Sequence, residues 1–368
     1  MTELITPEEF QSLFDKDGTL IDVRSPGEFE SGAAPNSLCL PIIDNTQRAK
    51  IGLCYKENGK EAAIKLGHEL VSGQDREDKL TAWIKAVTSG GVTGLYCARG
   101  GLRSQISQQW LSERGINIPR IKGGYKFIRR FLLEQLTSLP SQLNFVAVAG
   151  RTGVGKTDFI REHFLSSKDI VHIDLEKLAN HRGSAFGGEI SPQPRQAEFE
   201  NRVAAALIKM RGKKTIVVED ESALIGACLI PEVFFQRIKN SPVVVLEATV
   251  EERIYRTAKD YVQERLHKYE NSYGLESAWS KLEEYLLNSL HRIQKRLGAT
   301  RTAEIDASMR TALEEHKISG DFLKHSDWIR RLLLEYYDPQ YEFGLKRRTG
   351  TVIASGDSTT LKELLKNI

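Results

Sequence analysis

Cysteine is scarce: four residues in 368, Cys39, Cys54, Cys97 and Cys228, and no two of them stand at C-x(2)-C spacing. That excludes the usual thiolate zinc site and the dithiol redox motif, and reduced thiols in a cytoplasm are expected. Long apolar runs are missing too. No stretch approaches the roughly 18 apolar residues of a membrane span, and the start, MTELITPEEF, carries acids where a secretory signal carries basic residues and then an apolar run. Neither export nor membrane contact is expected. Charge of one sign is also lacking: 52 basic against 49 acidic residues leave +3. A polyanion such as RNA would therefore be met by local patches. There is no internal repeat and no low-complexity tract.

The length suits two domains. TLIDV (19–23) reads as a strand ended by Ser25-Pro26-Gly27, LCLPI as a second strand, and EAAIKLGHELV with KLTAWIKAV as helix. A strand ending at Tyr96 leads into CARGGLRS (97–104), and SQISQQWLSERG continues as a helix stopped by Gly115. LTSLPSQLN (136–144) is short and polar with one proline, the composition of a linker. FVAVAG then opens a second alternating unit, with TIVVED (215–220) and PVVVLEA (242–248) as further buried strands. From about residue 250 long charged helices are expected. In SAWSKLEEYLLNSLHRIQKRLG the apolar residues Trp279, Leu282, Leu286, Leu290, Ile293 and Leu297 form one stripe. The fold class is α/β, two parallel-sheet units with a helical C-terminal extension.

Two loops carry chemistry. Gly150, Gly155, Lys156 and Thr157 satisfy G-x(4)-G-K-[ST] between a strand and a helix, with Gly153 inside the loop. Such a loop binds a diphosphate through inward amides, Lys156 on the terminal phosphates and Thr157 on Mg²⁺. Glu219 and Asp220, with Glu221, end the TIVVED strand, where a carboxylate for the metal or its water is commonly kept. Arg253 and Arg256 lie three apart on one helix face, as lid arginines or as solvated ones. Spacing does not name the diphosphate, and any diphosphate ester fits.

In the other loop, Cys97 follows a strand and precedes a helix, with Arg99 and Arg103 nearby. That setting stabilises a nucleophilic thiolate. Cys39 and Cys228 lie in apolar runs without such flanks and suit structural roles, while Cys54 is ambiguous. A phosphatase and a sulfur carrier both fit the spacing.

IDVRSPGEFESGAAPNSLCLP, YCARGGLRS and IKGGYKFIRR together resemble a rhodanese domain, with Asp22 and Arg24 as its structural pair and Gly123-Gly124-Tyr125 as its closing turn. The loop from Cys97 to Arg103 spans seven residues against the usual six of sulfurtransferases, leaving room for a tetrahedral group such as phosphate. A P-loop NTPase-like domain follows. With HRGSAFG (181–187), PQPRQAEFEN (192–201), VEDESALIG (218–226) and EYYDPQY (335–341), the whole chain resembles the bacterial tRNA 2-selenouridine synthase family.

That resemblance implies a rhodanese-like domain over 1–136, a linker at 137–144, a P-loop core over 145–249 and a helical lid and C-terminal region over 250–368. It implies a cytoplasmic transferase acting on tRNA with wobble 2-thiouridine. Geranyl diphosphate alkylates the sulfur, and selenium from selenophosphate then replaces the geranylthio group. Cys97 matches the family's selenium-carrying cysteine, and Arg103 with the loop amides would hold the phosphate of selenophosphate. The enzyme that makes selenophosphate is the implied donor partner, and Mg²⁺ on Thr157 is the implied cofactor, with no prosthetic group.

RNA would be met by Lys122, Lys126, Arg129 and Arg130, and by His291, Arg292, Lys295, Arg296 and Arg301. Tyr336, Tyr337, Tyr341 and Phe186 would stack on bases, wall a geranyl pocket or pack in the core. The alternatives are a P-loop small-molecule kinase or NTPase fused to a cysteine-dependent phosphatase or sulfurtransferase, and a non-enzymatic module. Retention of Cys97, Arg103, Lys156 and Thr157 argues against the last.

Overall fold

The structure, a computed structural model, describes residues 4–6, 9–12, 18–164 and 170–365. The outermost ends of the 1–136 and 250–368 expectations lie outside them. The chain forms two compact units, one of residues 1–139 with 194–209 and one of 140–193 with 210–368.

In the first unit β1 (Leu4–Ile5), β2 (Thr19–Asp22), β3 (Ser37–Cys39), β4 (Val92–Tyr96) and β5 (Arg120–Ile121) make a parallel sheet in the order β1-β5-β4-β2-β3. The central strands are apolar on both faces, as parallel strands are when both sides are covered. Ile21, Val23, Leu95, Trp83 and Trp110 share one core with Cys97. Asp22 and Arg24 form the expected buried pair, a fork–fork contact with one N···O distance of 2.6 Å, and the Arg24 guanidinium lies 3.9 Å over the Tyr125 ring. Such bidentate geometry fixes direction as well as charge.

The helix Asn45–Leu70 is not straight. Gly59, at φ 83°, folds it into two arms, which brings Gln47 to the Leu70 carbonyl and Ile51 beside Gly67. Residues 137–142, expected as a polar linker, are instead the last turns of the helix Gly124–Gln142, with Pro140 inside it. Leu132, Leu136 and Leu139 supply a buried apolar stripe that carries the helix through the polar stretch.

The helix Gln196–Lys209 belongs to this first unit although it lies far along the chain. Asn201 is fully buried, and its amide donates to the Ala33 carbonyl (2.8 Å) and to the Tyr125 hydroxyl (3.0 Å). Glu198 accepts the Ala33 N–H at 2.9 Å.

In the second unit β6 (Phe145–Ala149), β7 (Ile170–Ile173), β8 (Thr215–Glu219), β11 (Val243–Leu246) and β12 (Val352–Gly356) form another parallel sheet, in the order β12-β11-β6-β8-β7. A two-stranded hairpin, β9 (Leu224–Ile225) with β10 (Cys228–Leu229), stands apart. The expected helical C-terminal extension also contributes one strand: in TVIASG, β12 pairs in parallel with β11 at the sheet edge. Its short, partly exposed run lacks the unbroken apolar pattern that marks β6, β8 and β11. The helix Leu275–Leu297 buries Leu282, Leu286, Leu290, Ile293 and Leu297 as its stripe predicts, and Trp279 packs against the same cluster.

Candidate active sites

Cys97 sits at the C-terminal end of β4 and is 3% exposed. Its thiol donates to the Ser104 hydroxyl at 3.3 Å, and that hydroxyl donates to the Gly101 carbonyl at 2.9 Å. The start of the helix Gly124–Gln142 clamps the loop: the Tyr125 N–H reaches the Cys97 carbonyl (2.8 Å) and the Lys126 N–H the Ala98 carbonyl (3.0 Å). Gly124 permits this approach. Its φ is 56°, and a Cβ there would stand 2.2 Å from the Cys97 carbonyl oxygen.

Arg103 does not reach freely into the loop. Both terminal nitrogens are held by Glu28, at 2.6 and 3.0 Å, and Glu28 also accepts from the Ser25 N–H (3.1 Å) and pairs with Arg48 (3.2 Å). Burial works against the Glu28 charge, yet the hydrogen bond and charge of Arg103, helped by Ser25, bring its carboxyl down to about 2. An anion arriving at this loop competes with Glu28 for Arg103. Arg99 is exposed.

The second site follows β6. Gly153, at φ 80°, lets the loop turn where a Cβ would meet the Arg253 carbonyl at 2.8 Å. Lys156 Nζ donates to the Gly150 carbonyl (3.3 Å) and the Thr157 hydroxyl to Glu219 (2.8 Å). β6 and β8 are neighbours with Val148 opposite Glu219, so the Gly-rich loop and the acid share one end of the sheet.

Glu219 is not alone. Carboxylate oxygens of Glu176, Glu219 and Glu221 lie within 4.8 Å of one another, and none of the three makes an ion pair among the described residues. Burial, reinforced by Glu221, pushes Glu219 up to about 7 despite Lys156 and Thr157. Burial plus the two neighbouring acids takes Glu176 up to about 9, and burial raises Glu221 as well. Three acids that hold protons against their usual tendency form a donor set that a divalent cation relieves. They line a cleft of about 1450 Å³ together with Lys156, Arg256, Arg296 and Tyr337.

Several expected site residues have other duties. Asp220 lines the same cleft but stands outside the three-carboxylate group, pairing instead with Lys239 (2.8 Å) and the buried Arg348. Arg253 is no lid arginine. It is 1% exposed, forks onto Asp338 and donates through Nε to the Thr152 carbonyl at 2.9 Å, bracing the Gly-rich loop from beneath. Arg256 does lie on the loop, donating to the Val154 carbonyl at 3.1 Å.

Arg129 is not available to RNA, because Asn201 (2.6 Å) and Glu200 hold its guanidinium. Lys122, Lys126, Arg130, Arg292, Lys295 and Arg296 are exposed. Tyr336 and Phe186 are core residues, Phe186 stacked on Trp328 at 5.9 Å, and Tyr336, Tyr337 and Tyr341 all border the cleft. Cys228 is buried, and Cys39 and Cys54 are half-buried. Glu176 escaped the sequence reading. Its signal was an acid three residues after the short strand IVHI, the counterpart of Glu219 at the end of TIVVE.

Comparison with known proteins also finds two parts in the chain. Residues 6–129 match the rhodanese-like domain model, and residues 143–368 match the tRNA 2-selenouridine synthase AAA domain model. A tRNA 2-selenouridine synthase of Shewanella denitrificans is 42% identical over 371 residues, covering 100% of both chains. One from Marinobacter nauticus is 40% identical over 358 residues, covering 97% of this chain and 96% of its own. A solved N-terminal domain from Clostridium difficile 630 is 32% identical over 36% of this chain and 99% of that one, with a TM-score of 0.31. End-to-end likeness of this strength, with both domain models in the same order, makes the chain an enzyme of the tRNA 2-selenouridine synthase family.

Proposed function

We propose that this chain converts wobble 2-thiouridine in tRNA to 2-selenouridine in two stages. In the first, the thiouridine sulfur attacks C1 of geranyl diphosphate. The new S–C bond forms as the C–O bond breaks, and diphosphate leaves with the electron pair. In the second, selenium supplied by selenophosphate replaces the geranylthio group at C2. The reading assigns the second stage to a rhodanese-like domain over 1–136 and the first to a P-loop core over 145–249 under a helical lid over 250–368. The likeness, end to end, to proteins named tRNA 2-selenouridine synthase carries it. The presence of both loops in one chain supports the division of labour.

In the Gly-rich loop, Gly150, Gly153 and Gly155 keep the backbone open to the diphosphate, Lys156 meets its terminal oxygens, and Arg256 faces it from the neighbouring helix. Thr157 and Glu219, with Glu176 and Glu221, are the residues that would hold Mg²⁺. The ion supplies charge neutralisation of the departing diphosphate when bound. Lys156 and Arg256 add fixed positive charge where the leaving group gains negative charge.

In the other loop Cys97 is the nucleophile: its thiolate forms a bond to C2 as geranylthiolate leaves. Selenium from selenophosphate, already at the selenide level, then bonds C2 and releases Cys97, while water takes the phosphoryl group as the P–Se bond breaks. Burial of Cys97 limits competing attack by bulk water, and Arg103, once an anion displaces Glu28, holds the phosphate of selenophosphate. Lys126, Arg292 and Arg296 are exposed cations suited to RNA phosphates. No helix among the described residues is long and apolar enough to cross a membrane. A cytoplasmic location fits the substrates.

The test incubates the chain with thiolated tRNA and Mg²⁺, adds geranyl diphosphate alone or with selenophosphate, and follows the wobble nucleoside by mass spectrometry. Cys97→Ala should accumulate the S-geranyl nucleoside without selenium, and Lys156→Ala should leave 2-thiouridine unchanged. No mass change of the wild-type nucleoside with either donor refutes the reading.

A further inference from the structure

The first unit contains a hollow that the chemistry above does not use. It measures about 440 Å³, within the range of small-molecule sites, and lies between the two arms of the Asn45–Leu70 hairpin and the helix Leu102–Glu113. Its walls are apolar, chiefly Ile51, Ile64, Val71, Ile106 and Trp110. Small residues keep it open. Gly52, Ala63 and Gly67 face it from the arms, and a Cβ on Gly52 would meet nothing within 4 Å. A well-packed core fills such space, so an apolar void open to the surface implies an occupant.

Two observations say what occupies it. The hollow adjoins the thiol loop: Leu102 and Arg103, at the end of that loop, line it, and Ile42, Ile43, Val71 and Trp110 belong both to its wall and to the core cluster that contains Cys97. Its polar border is cationic, with Arg48, Lys60 and Arg103 against the single acid Glu28, which the arginines already neutralise. Apolar inside, cationic at the border and next to Cys97, it fits an apolar chain attached to a polyanion.

We propose that this hollow holds the ten-carbon isoprenyl chain of the S-alkylated tRNA nucleoside while its C2 is presented to Cys97. This rests on the reading above, in which alkylated tRNA must move on to the thiol loop. It makes the hairpin Asn45–Leu70 the element that distinguishes alkylated from unalkylated tRNA at that step. Free 2-thiouridine leaves the hollow empty and gains nothing from it.

The experiment measures binding of the full-length protein to anticodon stem-loop RNA bearing either S-geranyl-2-thiouridine or 2-thiouridine, by fluorescence anisotropy, alongside nucleoside mass spectrometry. Wild-type protein should bind the geranylated RNA at least about tenfold more tightly, the scale of one or two buried apolar groups. Gly52→Phe, which places a ring into open space, should erase that preference. Affinity for the 2-thiouridine RNA and the rate of geranylation should stay unchanged.

A photoreactive geranyl analogue on the same RNA should label peptides within 42–71 or 102–110, a readout that needs no variant to fold. Equal wild-type affinity for the two RNAs, an unchanged preference in Gly52→Phe, or labelling elsewhere overturns the proposal. Failure of the underlying reading shows differently, as an absence of any geranylated nucleoside from wild-type enzyme.

Discussion

Removing the Arg253 guanidinium should loosen the Gly-rich loop more than any surface change nearby. Its side chain is 2% exposed and its partner Asp338 11%, so the pair is desolvated. Arg253→Met leaves a carboxylate in that setting with one other cation in reach, Arg151 at 3.9 Å and 47% exposed, which screens it weakly. Breaking a buried ion pair by deleting one partner costs about 3–5 kcal/mol. The Nε donation to the Thr152 carbonyl is lost as well. At about 1.4 kcal/mol per factor of ten, amide-exchange protection of β6 and β8 should fall by roughly two to three orders of magnitude, read by hydrogen–deuterium exchange mass spectrometry. Arg253→Met with Asp338→Leu removes both charges and should recover most of that loss. A fall of less than tenfold in the single variant, or a double variant as labile as the single, would refute the argument that the pair braces the loop.

Two further predictions concern pH. The Glu28 carboxyl sits near 2, below its usual range, so its contribution to stability is complete above about 4.5 and drains away as pH falls towards 2. Glu28→Gln should flatten thermal melting temperature over that window and leave the neutral range nearly untouched, and a variant that tracks wild type down to pH 2 would contradict the pairing with Arg103. Glu219 and Glu176 run the other way: raised to about 7 and about 9, they keep protons that the unfolded chain has released, so stability declines as pH climbs from about 4.5 to 9. Glu176→Gln should remove the upper part of that decline, and Mg²⁺ should stabilise wild type more at pH 8.5 than at 6, with differential scanning fluorimetry as the check.

Most of the architecture was written in apolar runs. β6, β8 and β11 are buried on both faces, so their β-branched stretches stand out, and the Gly-rich loop between β6 and its helix could be placed from spacing alone. The carboxylate site was only half legible. Strand TIVVED ends in consecutive acids, and nothing local says that Asp220 turns to Lys239 and Arg348 while Glu221 joins Glu219, because those partners come from 19 and 128 residues away. Glu176 belongs to the same group through sheet order, which pattern cannot show.

Arg103 neighbours the thiol loop by sequence alone, but its engagement by Glu28 spans 75 residues and depends on the fold. The polar stretch 137–142 has the composition of a linker and holds the boundary between the units at 139/140, yet it is helical because its apolar stripe continues from the preceding turns.

The helix Gln196–Lys209 changes how the chain is tied together. Because it serves the first unit from within the second half of the sequence, the backbone passes between units three times, near residues 139, 193 and 209. A single protease cut at 137–144 therefore severs the covalent chain but leaves the helix Gln196–Lys209 of the first unit on the C-terminal fragment. A chain ending at 142 would also lose Asn201 and Glu198, leaving both backbone groups of Ala33 without those partners. The first unit is completed only by a helix drawn from within the sequence of the second.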